Sequence, residues 1–283
     1  MLKKIKKFLW DLLFYVLIGL ITAVVVITLR VLVFASFKIP SFSMEPTLQA
    51  GDFILVSKRV PGPRIDILGS GEDGRPVRLA GSRAVRRNDV LVFNGAYDHS
   101  SDITQTWYVY YVKRCVGIPG DTLSILDGVY HANGRVNKIG ENENIGRIRA
   151  GDVAPQYQAA GRFADLGWTV YHFGPIYIPR KGDEVALDSI NVRLYRPLIE
   201  YETGQRLTET EGAFLLDGRP YPRHRFDRGY YFMAGDNAAD SHDSRYWGLL
   251  PEDHIVGKVS HVWKSKNPHT GKYRFDRFFK RVE

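Results

Sequence analysis

The 283-residue chain has one cysteine, Cys115, so no intrachain disulfide can close and an outside location must be survived without one. A lone thiol between Arg114 and Val116 in an apolar run, with no histidine near it in sequence, reads as a small core residue rather than a nucleophile. The eight histidines are scattered, and His242 beside Asp243 lacks the companion ligands that zinc spacing needs. No metal and no cofactor are therefore expected. Helical periodicity is also scarce: beyond Arg30 no stretch of any length repeats apolar residues three and four apart. No internal repeat is visible.

What the chain does have is an uninterrupted apolar run over residues 12–29, closed by Arg30. Its length meets the threshold of about 18 residues for a transmembrane helix. A buried helix of a soluble domain would show a polar face, and none interrupts the run. A cleaved signal peptide would have an apolar core of about 7 to 15 residues and a small-x-small site; Ala35-Ser36-Phe37 fits that site badly. Asp11 sits at the inner edge, where charge is tolerated. Lys3, Lys4, Lys6 and Lys7 precede the span, and positive flanks tend to stay cytoplasmic. The expected topology is a cytoplasmic basic terminus at 1–7, a single crossing at 8–30 and the rest on the outer, periplasmic or extracellular, face of the cytoplasmic membrane. Nucleic acid is a poor partner there, despite the net charge of +8. Part of that charge lies in a basic tail at 264–283, including Lys266, Lys272, Arg274, Arg277 and Lys280. Anionic lipid is one partner for such a tail; a solvated basic strand is the favoured reading.

The remaining residues read as mainly β. Short β-branched and aromatic runs at 53–56, 89–93, 107–116, 230–233 and 255–263 are separated by Gly, Pro, Asn and Asp clusters. Between 122 and 221 the strands become shorter and less apolar and loops more frequent, as at 140–145, which suggests a second β subdomain inserted into the first. The expected organisation is an antiparallel β-rich domain at 31–121 and 222–263, interrupted by the insert. The stretch 59–87 is loop-like, with glycines across 69–74.

The run Pro-Ser-Phe-Ser-Met-Glu-Pro-Thr-Leu at 40–48 follows the span after a short tether, so chemistry at Ser43 is held near the membrane surface. A serine hydroxyl is a weak nucleophile until a base takes its proton. Ser43 lacks the flanking glycines of a nucleophile elbow. A lysine serves instead if its pKa falls by about three units, roughly 4 kcal/mol of differential solvation. Lys113 lies in Trp-Tyr-Val-Tyr-Tyr-Val-Lys-Arg-Cys-Val at 107–116, so apolar that both strand faces read as buried. By period two, Val109, Tyr111, Lys113 and Cys115 share a face, and Arg114 points the other way, where it can be paired. Snorkelling of Lys113 to solvent at a strand end is the competing reading.

Four blocks now stand in order: 40–48; Gly-Asp-Phe-Ile-Leu-Val at 51–56; Tyr-Val-Lys-Arg-Cys-Val-Gly-Ile-Pro-Gly-Asp at 111–121; and Gly-Asp-Asn-Ala-Ala-Asp-Ser-His-Asp-Ser-Arg-Tyr-Trp-Gly at 235–248. Behind an amino-terminal span, they resemble type I signal peptidase, the membrane-bound Ser/Lys serine protease family that removes signal peptides from exported preproteins. The resemblance implies Ser43 as nucleophile and Lys113 as general base. It implies Ser41 as an oxyanion-hole hydroxyl beside the Ser43 N–H, and Ser241 as a hydrogen-bond partner holding the lysine. Asp243 and Arg245 match a supporting buried pair. Phe37, Ile39, Met44 and Val112 fall where the family lines its pockets for small side chains.

By their composition Gly51-Asp52 and residues 117–121 read as structural turns. The block 235–248 packs three carboxylates, two serine hydroxyls and an arginine into a loop, which reads as a hydrogen-bonded network. The chain departs from the family where Ala238 replaces a usual arginine and where Cys115 replaces a small apolar residue; segments 59–105 and 122–229 match only loosely. Other Ser/Lys activities fit less well: no DNA-binding segment accompanies the dyad, and no serine has lysine three positions later. The remaining alternative is a catalytically silent, membrane-anchored relative that binds exported polypeptides.

Overall fold

The computed structural model describes residues 2–65, 76–97, 102–137, 139, 146–149, 151–210 and 212–283. The turns expected at 69–74 and 140–145 lie outside them. The amino-terminal helix is continuous over Leu2–Leu32, so the basic lead-in is helical as well. At 1.5 Å per residue its 31 residues extend about 46 Å. None of its apolar window is buried within the protein. Side chains from Ile5 to Leu29 therefore present hydrocarbon on all sides, the pattern of a helix solvated by lipid.

The helix runs almost directly into the edge of an eight-stranded sheet. Its order is Phe34–Lys38, Asp52–Ser57, Ile255–Ser265, Val90–Tyr97, Ile103–Gly117, Tyr230–Ala234 and Leu250–Pro251, with Lys280–Arg281 also pairing to Ile255–Ser265. Every pairing in it is antiparallel. All five strands read from the sequence fall in this sheet. The central strands carry unbroken apolar runs because both of their faces are covered. Val90, Val92, Val259 and Val262 pack with Ile39, Met44 and Leu48, whereas Leu91, Phe93, Cys115 and Met233 form a separate cluster with Ile255. Cys115 is accordingly a buried free thiol, as its setting predicts.

The segment after residue 121 adds a four-stranded sheet in the order Phe173–Tyr177, Thr122–Leu126, Val129–Ala132, Arg135–Val136, and smaller hairpins. Its core is continuous with the main sheet: Leu123, Ile125, Phe163 and Phe173 cluster with Val116, Tyr230 and Phe232. The sequence expectation of no helix beyond Arg30 is wrong here. Ser189–Thr203 is α-helical, with Asp188 accepting from the Ile190 and Asn191 N–H groups and Gly204 closing it at φ 67°. Its buried face is Val192, Tyr195, Leu198 and Ile199. Pro197 in mid-helix hides this period, since proline removes a helical donor. The Arg193 carbonyl, which a non-proline residue at 197 would have engaged, instead accepts from Arg162 Nη2 at 3.2 Å.

The basic tail is exposed at Lys266, Lys272 and Lys280, in keeping with its reading as a solvated strand, but Arg277 departs from it. Arg277 is 5% exposed and grips Asp52 with Nε and Nη2 at 3.0 and 2.6 Å. Asp52, fully buried, further accepts from the Gln49 N–H at 2.8 Å. Gly51 before it has φ 91°, and a Cβ there would lie 1.9 Å from the Lys266 carbonyl oxygen, so only glycine fits. A tail arginine thus fixes the segment just after the 40–48 run.

Burial alone would raise the Asp52 carboxyl pKa, but the Arg277 bonds and charge outweigh it and hold it below 3.8. Its contribution to stability is full above that value and lost as pH falls through the lower folded-state pKa. Arg277→Ala is expected to cost about 3 kcal/mol, the lower end for breaking a buried pair, because Arg274 remains 3.6 Å from Asp52. Thermal midpoints by circular dichroism in detergent should show the loss at pH 7 and a gap from wild type that narrows only below pH 3.8, where Asp52 takes up its proton. Equal midpoints at pH 7 would contradict the anchoring role.

Candidate active site

Residues 40–48 leave the strand Phe34–Lys38 and fold into a turn fastened at both ends. The Ile39 N–H donates to Asp52 O and the Gly51 N–H to Ile39 O, each at 2.8 Å. Met44 and Leu48, 2% and 0% exposed, plug the turn into the core. Ser43, immediately before Met44, is half-buried. Its carbonyl accepts from the Asn237 N–H at 3.1 Å, and the Phe42 carbonyl from Asn237 Nδ2 at 3.3 Å. The loop at 235–248 therefore grips the backbone of the candidate nucleophile.

Lys113 Nζ lies 2.6 Å from Ser43 Oγ across 70 residues of sequence. The lysine is 4% exposed, on the strand Ile103–Gly117 in register with Leu91. Snorkelling is thereby ruled out. Burial pulls its pKa down from 10.5 to about 8. The Asp243 carboxylate opposes that fall and the Arg245 guanidinium assists it. An amine in this state is neutral near physiological pH for a useful fraction of the time and can take a hydroxyl proton.

Asp243 and Arg245 are both fully buried and joined by two 2.8 Å bonds, Nε to Oδ1 and Nη2 to Oδ2. Burial pushes the Asp243 carboxyl up, yet the Arg245 charge and hydrogen bonds more than compensate and keep it ionised. Arg245 Nη2 also donates to the Ala238 carbonyl at 2.7 Å, so this arginine ties both ends of the loop together. The Ser241 hydroxyl donates to Asp243 Oδ2 at 2.8 Å. The expected Ser241–Lys113 hydrogen bond is not among those of the described residues; Ser241 meets the site through Asp243.

Ser41 is exposed on the same turn as Ser43. Among the described residues neither its hydroxyl nor the Ser43 N–H has a hydrogen-bond partner, which leaves both available as donors. Phe37, Ile39, Met44 and Val112 come together in one apolar cluster beside the turn. Phe37 additionally packs on Tyr110 at 4.9 Å between centroids. Among the described residues no group of three His, Cys, Asp or Glu side chains could hold a metal ion.

Two contributors were not singled out from the sequence. Asp236, 3% exposed, accepts from Arg114 Nε and Nη2 at 2.7 Å each and from the Thr47 hydroxyl at 2.5 Å. This triad bolts three of the four sequence blocks to one another. The signal was a charged Arg114 in a strand buried on both faces, which needs a carboxylate partner. Gly235 is the second. A Cβ there would stand 2.2 Å from Ser241 Oγ and 2.5 Å from Ser43 O, so the absence of a side chain is what lets the loop close on the serine.

Gly235→Ala must therefore push Ser43 or Ser241 aside. A displacement near 1 Å typically costs about 100-fold, so kcat should fall by that order with KM little changed; unchanged kcat would show the contact to be slack. Asp243→Asn removes the charge that raises the Lys113 pKa and leaves Arg245, which lowers it. The Lys113 titration, followed by NMR of the Nζ group, should move below about 8. A shift upward would contradict the electrostatics.

The sequence profile described as "Signal peptidase, peptidase S26" matches residues 12–264. Among curated relatives, signal peptidase I of Buchnera aphidicola (subspecies Acyrthosiphon pisum) is 29% identical over 243 residues, covering 84% of this chain and 70% of the relative. That of Pseudomonas aeruginosa is 29% identical over 255 residues, covering 85% and 68%. The crystal structure of a signal peptidase I from Enterococcus faecalis overlaps 62% of this chain and 97% of its own at 16% identity and a TM-score of 0.26, too slight a likeness to bear on the fold. With the profile spanning the anchor helix, the Ser43 turn, the Lys113 strand and the 235–248 loop, the chain belongs to the signal peptidase family, peptidase S26.

Proposed function

We propose that this chain is a membrane-anchored serine endopeptidase that removes signal peptides from exported preproteins, with Ser43 as nucleophile and Lys113 as general base. The observation that carries this reading is the 2.6 Å separation of Lys113 Nζ and Ser43 Oγ inside a desolvated site. Neutral Lys113 takes the hydroxyl proton as Oγ attacks the scissile carbonyl. The oxyanion is held by the Ser43 N–H and the Ser41 hydroxyl, donors whose loss costs on the order of 3 kcal/mol each in such sites. Lys113 then returns its proton to the leaving amine; neutral again, its Nζ takes a proton from the water that attacks the acyl ester and passes it to Ser43 Oγ as the ester bond breaks. Asp243, Arg245 and Ser241 position the base and the loop.

Phe37, Ile39, Met44 and Val112 form the pocket for small side chains before the cut, for which their shared apolar cluster is the support. Residues 1–7 face the cytoplasm, and the domain built from 31–121 and 222–263, with its insert at 122–221, works on the outer face. The lysine cluster ahead of the span supports that orientation. Membrane lipid is thereby a constant partner, and the preproteins are threaded through the same bilayer. A silent binding relative is disfavoured by the intact geometry of the two reacting groups.

Purified, detergent-solubilised protein should cut a preprotein, and Ser43→Ala or Lys113→Ala should each lower kcat by roughly 10⁴-fold or more. Cleavage by both variants at the wild-type rate would overturn the assignment. Because the base works as the free amine and its pKa is about 8, kcat/KM should rise on the order of tenfold between pH 7 and pH 9. A profile flat across that window would exclude a lysine base.

A further inference from the structure

The loop that grips Ser43 also borders a second, unassigned feature. Ala238 packs with Ile148, Val153 and Val170, flanked by Tyr171 and Tyr246. The Gly146 N–H donates to the Asp236 carbonyl at 2.9 Å, one residue before the Asn237 N–H that holds Ser43 O. The 146–149 segment is thus hydrogen-bonded to the loop that carries the candidate nucleophile. Ile148 turns inward and is buried, which leaves its neighbours Arg147 and Arg149 exposed. Together with Gln158, Tyr171 and His172 they surround a cavity of about 470 Å³.

Among the described residues the charge lining this cavity is unbalanced. Its one carboxylate among them, Asp127, faces His172 at 3.5 Å. Arg147 has no ion pair or hydrogen bond among the described residues. Among the described residues the buried Tyr171 hydroxyl also has no hydrogen-bond partner. An unsatisfied buried hydroxyl costs about 1 to 3 kcal/mol and calls for a ligand, ion or water to complete it. A guanidinium and a phenol lining one cavity are a donor set for a carboxylate.

Position identifies the source of that carboxylate. The apolar cluster proposed to take the residues before the cut is built only from positions up to 112 and from 256 onward. The cluster beside the cavity is built only from positions 148 to 246. Ser43 lies where they meet, Met44 belonging to the first and Asn237 adjoining Ala238 of the second. A polypeptide crossing Ser43 with its signal portion on the first cluster has its mature portion toward the second. An extended chain advances roughly 3.3 Å per residue, so the first residues after the cut are the ones that run toward this side.

We infer that the Arg147–Tyr171 cavity is a specificity site that receives an aspartate or glutamate side chain from the first residues of the mature polypeptide. The inference rests on the signal-peptide-cleaving reading. It also gives the insert a role in substrate choice, in place of the arginine that Ala238 lacks. The guanidinium of Arg147 supplies the charge and the Tyr171 hydroxyl a directed hydrogen bond.

The test uses the full chain in detergent and a set of peptides sharing one signal segment, with Asp, Asn or Lys placed singly at positions two to five after the cut. Cleavage of the all-neutral peptide reports the underlying activity, so its absence would sink the peptidase reading itself. With that activity present, wild type should favour Asp over Asn in kcat/KM by about fivefold at one position, in the range of a partly exposed charged hydrogen bond. Arg147→Glu should invert the preference toward Lys, and Tyr171→Phe should reduce it. Each preference is a ratio within one variant, so any change in folded fraction cancels. Equal rates for Asp, Asn and Lys at all four positions, or an Asp preference that survives Arg147→Glu, would overturn the proposal.

Discussion

The structure turns on the removal of water from one amine. An exposed lysine is charged at neutral pH and cannot accept a proton, so the Ser43–Lys113 pair is chemically inert unless the ammonium is made costly. Sheet and loop together leave Lys113 only 4% exposed. A buried lysine beside a lone carboxylate would simply keep its charge and form an ion pair. Here the carboxylate that acts most strongly on it, Asp243, is already held by Arg245 on both of its oxygens. The arginine opposes the field with which Asp243 would otherwise recharge the lysine, while the carboxylate still satisfies Ser241 and the Gly235 N–H.

Holding that amine against one hydroxyl demands accuracy from segments remote in sequence, and the fold supplies it through buried ionic fasteners. Arg114–Asp236–Thr47 joins the lysine strand, the loop and the nucleophile turn. Asp52–Arg277 joins the end of that turn to the tail. Such pairs give little net stability relative to apolar packing, because desolvation offsets most of the attraction. Their value here is directional. An apolar contact tolerates sliding, whereas a bidentate guanidinium fixes distance and angle together, and a 2.6 Å approach of nucleophile and base tolerates little sliding.

Much of this was legible in the residues. Ser43 and Lys113 could be picked out because a serine turn directly after a span and a lysine inside an otherwise apolar strand are both locally unusual. The main-sheet strands were visible because burial on both faces writes itself as continuous apolar runs. The helix Ser189–Thr203 was not, because Pro197 reads as a breaker and its compensation, Arg162 reaching the Arg193 carbonyl, comes from a distant position. One tail residue was misread for a related reason. Arg277 looks solvated in sequence, and only the buried Asp52, 225 positions away along the chain, shows why it turns inward.

The sequence by itself determined the elements: an all-apolar helix that belongs in lipid, strands whose two faces must be covered, and glycines such as Gly51 where no Cβ fits. These follow from local sterics and from the hydrophobic pattern along one stretch of chain. Tertiary structure alone decided which groups meet and in what state of charge. The lowered pKa of Lys113, its approach to Ser43 and the closing of the loop on Ser43 over Gly235 depend on distances between residues 70 or more positions apart. Desolvation and Coulomb interaction are functions of three-dimensional surroundings, so no reading of neighbours along the chain could fix them.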